Sequence, residues 1–383
     1  MTITPQDTSV WSQLVGQRPV IDTLRRAVAG EMTHAWLFTG PPGSGRSNAA
    51  LAFAAALQCE RGGCGQCQAC RTALAGSHAD VSVTRTEKLS IGVDDVRNLV
   101  RRASLAPAGH RWQIMVVEDA DRLTEPAANA LLKSIEEPTD RTVWLLCAPT
   151  VEDVLPTIRS RCRLVVLSTP SPDDVAGFLV QREGIPEGVA TFAARASQGH
   201  IGRARALAKD EQTRNRRREV VSIPAGLTSL GACMNAAANL HDVTKEEAAA
   251  ITAELDLVEK QDLDQSYGVV ERGRRPKSYA PALKELEKGQ KLRAKRRHLD
   301  VIDRGLMDLV SVYRDAIALQ TGAPGALVNE EIRGDVVKLA RSSTPEQNLR
   351  RIDAVFATRE HLLEFNAAPL LALEAMMVAL RLN

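Results

Sequence analysis

The chain has 383 residues, enough for two or three domains, and its 25% charged and 44% hydrophobic residues are ordinary for a globular protein. A net charge of +2 excludes a polycation, and 3% aromatic residues argue against an aromatic platform for single-stranded nucleic acid. No secretion signal or membrane-spanning run is recognisable, so we expect a cytoplasmic protein with no membrane contact and with its seven cysteines reduced.

A glycine-rich loop follows the first predicted strand, residues 35–38. It reads GPPGSGRS over residues 40–47 and leads into an Ala/Leu-rich helix that extends to residue 57. Strand, glycine loop and helix in this order predict a phosphate-binding loop, although an ordinary Gly/Pro loop capping a helix is the alternative. The candidate nucleotide-binding residues here are Gly40, Gly43, Ser44, Gly45, Arg46 and Ser47, with Ser47 placed to ligate Mg²⁺.

Arg46 departs from the phosphate-loop pattern, which has lysine at this position. A guanidinium is a broad planar fork, whereas the lysine ammonium is a compact point charge, so the two side chains are not interchangeable beneath a phosphate. We therefore predict that ATP or ADP can bind with Mg²⁺, but that efficient hydrolysis is in doubt.

Four cysteines lie close together after the loop helix: Cys59, Cys64, Cys67 and Cys70. Four thiolates within twelve residues can close on one ion, and tetrahedral Zn²⁺ is the usual occupant of such a structural site. The alternatives are a redox-active C-x-x-C pair and a loop with free thiols. Because all four ligands come from the protein, we predict a structural zinc site with no position for a substrate.

The centre of the predicted sheet is an apolar run, residues 114–117, that ends in Glu118 and Asp119. A predicted helix over residues 125–137 and a second apolar run over 143–147 complete a strand, crossover helix and strand, which is typical of a parallel α/β sheet. A nucleotide-hydrolysing site has Asp for Mg²⁺ and then Glu to polarise water, and here the order is reversed. This is a second indication of a weakened site, although solvated acids at a strand end would give the same pattern.

These motifs, together with ANALLKSIEEP at residues 128–138 and Ser160-Arg161-Cys162, resemble the AAA+ clamp-loader subunits of bacterial DNA polymerase III. The likeness covers about residues 1–210. It implies an α/β then all-α architecture: an AAA+ RecA-like parallel sheet domain with a zinc module, a small helical lid and a C-terminal helical collar domain. The implied ranges are 1–169 for the sheet domain, 59–70 for the zinc module, 170–212 for the lid and 213–383 for the oligomerisation collar, with a basic insertion near 271–298.

The same resemblance implies roles for individual residues. Arg161 matches the arginine finger, which reaches in trans to the ATP of a neighbouring subunit, although a surface arginine would look the same in sequence. Val15, Gly16 and Gln17 match the segment that packs on adenine.

Two further positions depart from the family pattern. The polar residue after the sensing strand falls at Pro149, and the sensing arginine of the motor subunits falls at Gly202, with Arg203 next to it. The departures all weaken the chain's own site and leave the finger intact, which fits the non-motor, delta-prime type better than the tau/gamma motor type.

The leading hypothesis is therefore a non-motor subunit of the clamp loader within the DNA polymerase III holoenzyme. Its implied partners are tau/gamma and delta-type subunits, the sliding clamp, and primed DNA through the assembly, in DNA replication. The alternative is an active AAA+ ATPase motor subunit in which Arg46 replaces lysine. A third hypothesis, a stand-alone zinc-containing DNA-binding adaptor, is disfavoured by the near-neutral charge.

Overall fold

The computed structural model of the chain describes residues 9–86, 90–109, 111–267, 276, 278–365 and 367–382. It contains two compact units, Met1–Lys209 and Asp210–Asn383. The first unit is α/β and the second is helical, which confirms the predicted fold class. The predicted boundaries between sheet domain, lid and collar stay predictions. Residues 271–275 and 277 of the predicted basic insertion lie outside the described residues, as do residues 268–270 just before it.

Five parallel strands form the sheet of the first unit, in the order β2-β3-β4-β1-β5. The central strands β1, β3 and β4 are buried along their whole length, because they are apolar runs covered by helices on both faces of the sheet. The strands are β1 Ala35–Thr39, β2 Val81–Thr84, β3 Gln113–Val117, β4 Thr142–Ala148 and β5 Arg163–Val166.

Helices cover the two faces of this sheet with separate apolar cores. The alanine-rich helix α2 packs on one face with α1 and α3, and α4 and α5 pack on the other. Helix α5 begins where the Thr124 hydroxyl accepts a hydrogen bond from the N–H of Ala127, and a proline occupies its first turn. These helices are α1 Arg18–Ala29, α2 Arg46–Gln58, α3 Gln68–Leu74, α4 Val93–Ala103, α5 Glu125–Glu136 and α6 Pro156–Arg159, with short 3₁₀ turns at Val10–Gln13 and Ala120–Arg122.

A three-helix layer, which we call the lid, completes the first unit with α7 Pro172–Glu183, α8 Glu187–Ser197 and α9 Ile201–Lys209. The three helices share their own small core of alanines and leucines. Glu183, at the end of α7, forms ion pairs with Arg205 and Lys209 of α9, so charge as well as apolar packing joins the first and last lid helices.

The second unit is a bundle dominated by two long antiparallel helices, α11 and α12. Arg293 of α12 has a 5% exposed side chain and pairs with Asp256 and Glu259 of α11, which fixes the alignment of the two helices. The helices of this unit are α10 Glu211–Gly226, α11 Leu230–Ser266, α12 Tyr279–Thr321, α13 Arg333–Ser342, α14 Pro345–Leu363 and α15 Pro369–Leu382. None of the helices in the described ranges is both long and apolar enough to span a membrane.

A buried ionic network joins α10 to α12 and to the turn before α13. Arg217 of α10 has a 2% exposed side chain and donates from Nε to Asp308 Oδ1 at 3.3 Å. Its other nitrogens donate to Asn329 and Glu331. A charge this deeply buried is tolerated because every side of the guanidinium meets an acceptor.

Candidate functional site

The predicted phosphate-binding loop lies between the end of β1 and the start of α2. Gly40, Gly43 and Gly45 have φ values of 155°, 84° and 93°, which side chains rarely adopt, so glycine is required for this turn. A Cβ atom at Gly40 would lie 2.6 Å from the carbonyl oxygen of Leu167. The Ser44 hydroxyl is buried and has no hydrogen-bond partner among the described residues. A buried hydroxyl without a partner inside an anion-type loop fits a contact to a phosphate oxygen.

Arg46 turns back onto the loop. Its Nη1 donates a hydrogen bond of 2.9 Å to the carbonyl oxygen of Gly40. Ser47, the predicted Mg²⁺ ligand, follows in the first turn of α2 and is half-buried. One guanidinium nitrogen is therefore engaged with the backbone of its own loop.

Glu118, at the end of β3, is engaged with a residue of the neighbouring strand. Its Oε2 lies 2.6 Å from Nε of Arg85, and its side chain is only 6% exposed. Arg85 follows β2, and β2 lies on the side of β3 opposite to β4 and β1. The ion pair thus draws this carboxylate away from the loop that follows β1.

The other acids of this strand end occupy a short 3₁₀ turn. Asp119 precedes the turn and Asp121 lies within it, and both are half-buried. Burial raises the pKa of Asp121, and the negative charge of Asp119 adds to this effect, while Arg122 and Arg46 oppose it. Asp121 is thus a further acid near the loop that the sequence-based site prediction did not include.

The segment predicted to pack on adenine lies against the lid. Val15 belongs to the lid core, and a Cβ at Gly16 would meet Asp174 Oδ2 at 3.1 Å. The Gln17 amide donates to the carbonyl oxygen of Ser168 at 2.7 Å and accepts from its N–H, so this segment is fixed to the chain that enters the lid.

The start of lid helix α9 lies directly against the phosphate-binding loop. A Cβ built at Gly43 would come within 2.3 Å of His200 Cγ, so only glycine allows this approach. Nδ1 of His200 accepts a hydrogen bond from the N–H of Arg203 and thereby caps α9. The Pro149 carbonyl oxygen accepts from Gly40 N–H at 3.1 Å, so the predicted sensing position contacts the loop through its backbone. Gly202 lies in the first turn of α9.

Arg161, the predicted finger, stands just after α6 with its side chain 39% exposed. Its Nη2 lies 2.6 Å from Glu136 Oε1, at the end of α5. Its Nη1 donates to the carbonyl oxygen of Thr157 at 2.7 Å and to the hydroxyl of Ser160 at 3.1 Å. These three contacts, all with residues of α5 and of the α6 segment, hold the guanidinium in one orientation near the protein surface.

The four cysteines converge in space. Their Sγ atoms all lie within 4.8 Å of one another, and Cys59 Sγ is 3.7 Å from the Sγ atoms of both Cys64 and Cys67. A tetrahedral ion with bonds of about 2.3 Å separates its ligands by about 3.8 Å, so the spacing suits Zn²⁺. Helix α2 ends just before Cys59, and Cys67 caps the start of α3. Two helix ends therefore position the four sulfurs.

Backbone donors favour the thiolate form in this cluster. Hydrogen bonds from the N–H groups of Gln66 and Cys67 lower the pKa of Cys64 to about 6. Burial raises the pKa of the Cys59 thiol, but hydrogen bonds from backbone N–H groups more than offset it, so the pKa is lowered. Burial raises the pKa of Cys70, where a cation would be needed to offset the cost. The donor set therefore suits a bound metal ion.

Comparisons with known proteins agree with the motifs. Residues 16–171 match the family described as DNA polymerase III, delta subunit. The delta' subunit of DNA polymerase III from Pseudomonas aeruginosa is 37% identical over 192 residues, which are 48% of this chain and 54% of that protein. The gamma/tau subunit from Mycobacterium tuberculosis is 37% identical over 157 residues, which are 39% of this chain and 27% of that protein.

A solved DNA polymerase III gamma subunit-related protein of Thermotoga maritima is more distant. It is 18% identical, covers 76% of this chain and 98% of its own, and has a TM-score of 0.36. The chain spans between about a quarter and about half of the length of the two curated relatives. Residues 16–171 are thus similar to subunits of DNA polymerase III, in agreement with the resemblance of the motifs.

Proposed function

We propose that the chain is a non-motor, delta-prime subunit of a cytoplasmic DNA polymerase III clamp loader. Its neighbours would be tau/gamma and delta-type subunits, and the assembly would place a sliding clamp on primed DNA. The similarity of residues 16–171 to both delta' and gamma/tau subunits supports partners of this kind.

The observation that carries this proposal is the contrast between two arginines. Arg161 has its guanidinium near the surface, while Arg46 is bonded to the carbonyl oxygen of Gly40 in its own loop. A guanidinium presented to a neighbour's ATP stabilises charge on the transferring phosphoryl group, which is worth roughly 10³–10⁵ in rate. The chain would thus act on a nucleotide bound by the adjacent subunit.

The chain's own phosphate-binding loop is better suited to binding a nucleotide than to hydrolysing it. Gly40, Gly43 and Gly45 give the loop its turn, and the buried Ser44 hydroxyl, which has no partner among the described residues, could contact a phosphate. Mg²⁺, when bound, would neutralise phosphate charge beside Ser47. The acid that should complete this site, Glu118, is paired with Arg85. We therefore infer that ATP or ADP is held without efficient turnover.

We also propose that Cys59, Cys64, Cys67 and Cys70 hold one structural Zn²⁺. The ion would cross-link the end of α2 to the start of α3 and would leave no open position for chemistry, since all four ligands are thiolates. The zinc module lies against the 3₁₀ turn Val10–Gln13. The Val10 N–H donates to the carbonyl oxygen of Gly63, and a Cβ atom built at Gly63 would lie 2.7 Å from a methyl group of Val10. The metal would thus stabilise the outer edge of the core around α2.

The test of the finger is the DNA-stimulated ATPase of the assembled complex. Arg161→Ala should lower kcat by at least about a hundredfold at the site that the finger serves. Arg159→Ala is the matched control, because it removes a positive charge at the last residue of α6, two positions before Arg161. Turnover of the Arg161→Ala complex at the wild-type rate would refute the proposed role.

The glycine turn, together with a Ser44 hydroxyl that has no partner in the described ranges, is also compatible with the motor-subunit alternative. Purified chain, assayed alone with ATP and Mg²⁺, separates the two functions. Clear turnover that Arg46→Ala abolishes would favour the motor subunit. Nucleotide binding without turnover, in both the wild type and Arg46→Lys, would favour the non-motor subunit, because lysine does not release Glu118 from Arg85.

A further inference from the structure

We propose that Glu136 is a positioning residue that orients the Arg161 guanidinium before the neighbouring subunit arrives. The inference rests on the proposed function, because it concerns the same arginine. The predicted finger motif, Ser160-Arg161-Cys162, contains no acid, and nothing in the local sequence indicates the pairing with a residue that lies 25 positions earlier.

The contacts of Arg161 within the described residues engage its two terminal nitrogens. Nη2 meets Glu136 Oε1 at 2.6 Å, and Nη1 donates to the carbonyl oxygen of Thr157 and the hydroxyl of Ser160. Within the part of the chain that the structure describes, Nε takes part in none of these contacts. The guanidinium is therefore fixed in orientation while one of its donors stays available to a ligand from outside the chain.

Glu136 is itself placed by rigid elements. It is the last residue of α5, and the preceding residue, Ile135, is fully buried against the sheet. The indole N–H of Trp144, in the centre of β4, donates to the carbonyl oxygen of Ser134 at 3.1 Å and ties this last turn to the sheet. Because the end of α5 is fixed to the sheet, the Glu136 carboxylate can fix the orientation of the long and otherwise flexible Arg161 side chain.

Helix stability does not account for a carboxylate at this position. The C-terminal end of a helix carries partial negative charge, so an acid in the last turn of α5 opposes the helix dipole. The Arg161 guanidinium offsets that repulsion. The pairing therefore benefits the orientation of Arg161 more than it benefits α5.

The ion pair between Glu136 and Arg161 is also too exposed to keep the guanidinium from moving toward a nucleotide. The side chains of Arg161 and Glu136 are 39% and 43% exposed, and ion pairs in water of this kind are weak. A triphosphate carries more negative charge than one carboxylate and can draw the guanidinium forward. Glu136 should therefore assist the finger without holding it back.

The experiment measures DNA-stimulated ATP hydrolysis by the assembled clamp loader with Glu136→Ala, Glu136→Gln and Arg161→Ala. Glu136→Ala should lower kcat about fivefold, the upper range for an exposed ion pair, with KM for ATP unchanged, because the finger acts on the transition state. Glu136→Gln keeps an acceptor oxygen and should recover part of this loss. Glu137→Ala, which removes the adjacent exposed acid, is the matched control and should leave kcat unchanged.

The double variant Glu136→Ala/Arg161→Ala separates positioning from a general structural effect. If Glu136 acts through Arg161, the double variant should hydrolyse ATP at the rate of Arg161→Ala alone. A further loss in the double variant, an unchanged kcat in Glu136→Ala, or a raised kcat there would overturn the positioning role while leaving the finger intact. An unchanged kcat in Arg161→Ala would overturn the finger and the positioning role together, so the two failures are distinguishable.

Discussion

Replacing Arg217 by methionine should destabilise the helical unit strongly, since it leaves buried acceptors without their donor. Arg217 and its partner Asp308 have side chains only 2% and 4% exposed, and Arg217 Nη2 lies 2.5 Å from Asn329 Oδ1. Breaking a buried ion pair by removing one partner costs about 3–5 kcal/mol. The control is Arg333→Met, whose pair with Glu330 is 54% and 36% exposed and should contribute only about 0–1 kcal/mol.

Urea unfolding followed by two signals measures this difference. The four tryptophans, Trp11, Trp36, Trp112 and Trp144, all lie in the first unit, so their fluorescence reports that unit. Far-UV circular dichroism includes the long helices of the second unit. The circular-dichroism transition of Arg217→Met should move to a lower urea concentration, by an amount that corresponds to at least about 3 kcal/mol. A loss no larger than that of Arg333→Met would refute the reasoning.

Metal analysis of reduced protein should find one Zn²⁺ per chain. Cys64→Ser should lower the zinc content, whereas the control Cys162→Ser, which lies outside the cluster, should not. A wild-type zinc content in Cys64→Ser would contradict the site. In the lid, the hydrogen bond from Lys209 and the charge of Arg205 hold the pKa of Glu183 below its ordinary value. Because this pKa is lower in the folded than in the unfolded state, the stabilisation is present above about pH 4.3 and is lost as pH falls through the lower folded value. Glu183→Gln should therefore speed hydrogen exchange in α9 at pH 7, and the difference from wild type should shrink as the pH falls below about 4.3; a pH-independent difference would exclude the ionic cause.

The sheet and most of its helices could be predicted from sequence, because the signals are local. The strand predicted at 35–38 lies inside β1, the helix predicted at 125–137 corresponds to α5, and the apolar run 143–147 lies inside β4. In each case the apolar spacing matches the period of the element that forms. The glycines of the loop and the four cysteines were identifiable for the same reason, since each set lies within twelve residues of chain.

The contacts that decide how the site works are not local, and sequence reasoning missed them. Glu118 pairs with Arg85 because β2 and β3 are neighbours in the sheet, although their residues are 33 positions apart. Gly43 meets His200 only because the lid folds back over the loop. Such pairs follow from strand order and helix packing, which periodicity alone does not reveal.

The paired helices α11 and α12 have a mechanical consequence. With 37 and 43 residues, they are about 55 Å and about 65 Å long, and the Arg293 contacts join them into one stiff arm. Residues 279–299 of α12 extend about 30 Å from the bundle core, so a rotation of about 10° at the core displaces the tip by about 5 Å. Small angular changes in the packing of the helical bundle are thereby amplified into displacements as large as one turn of helix.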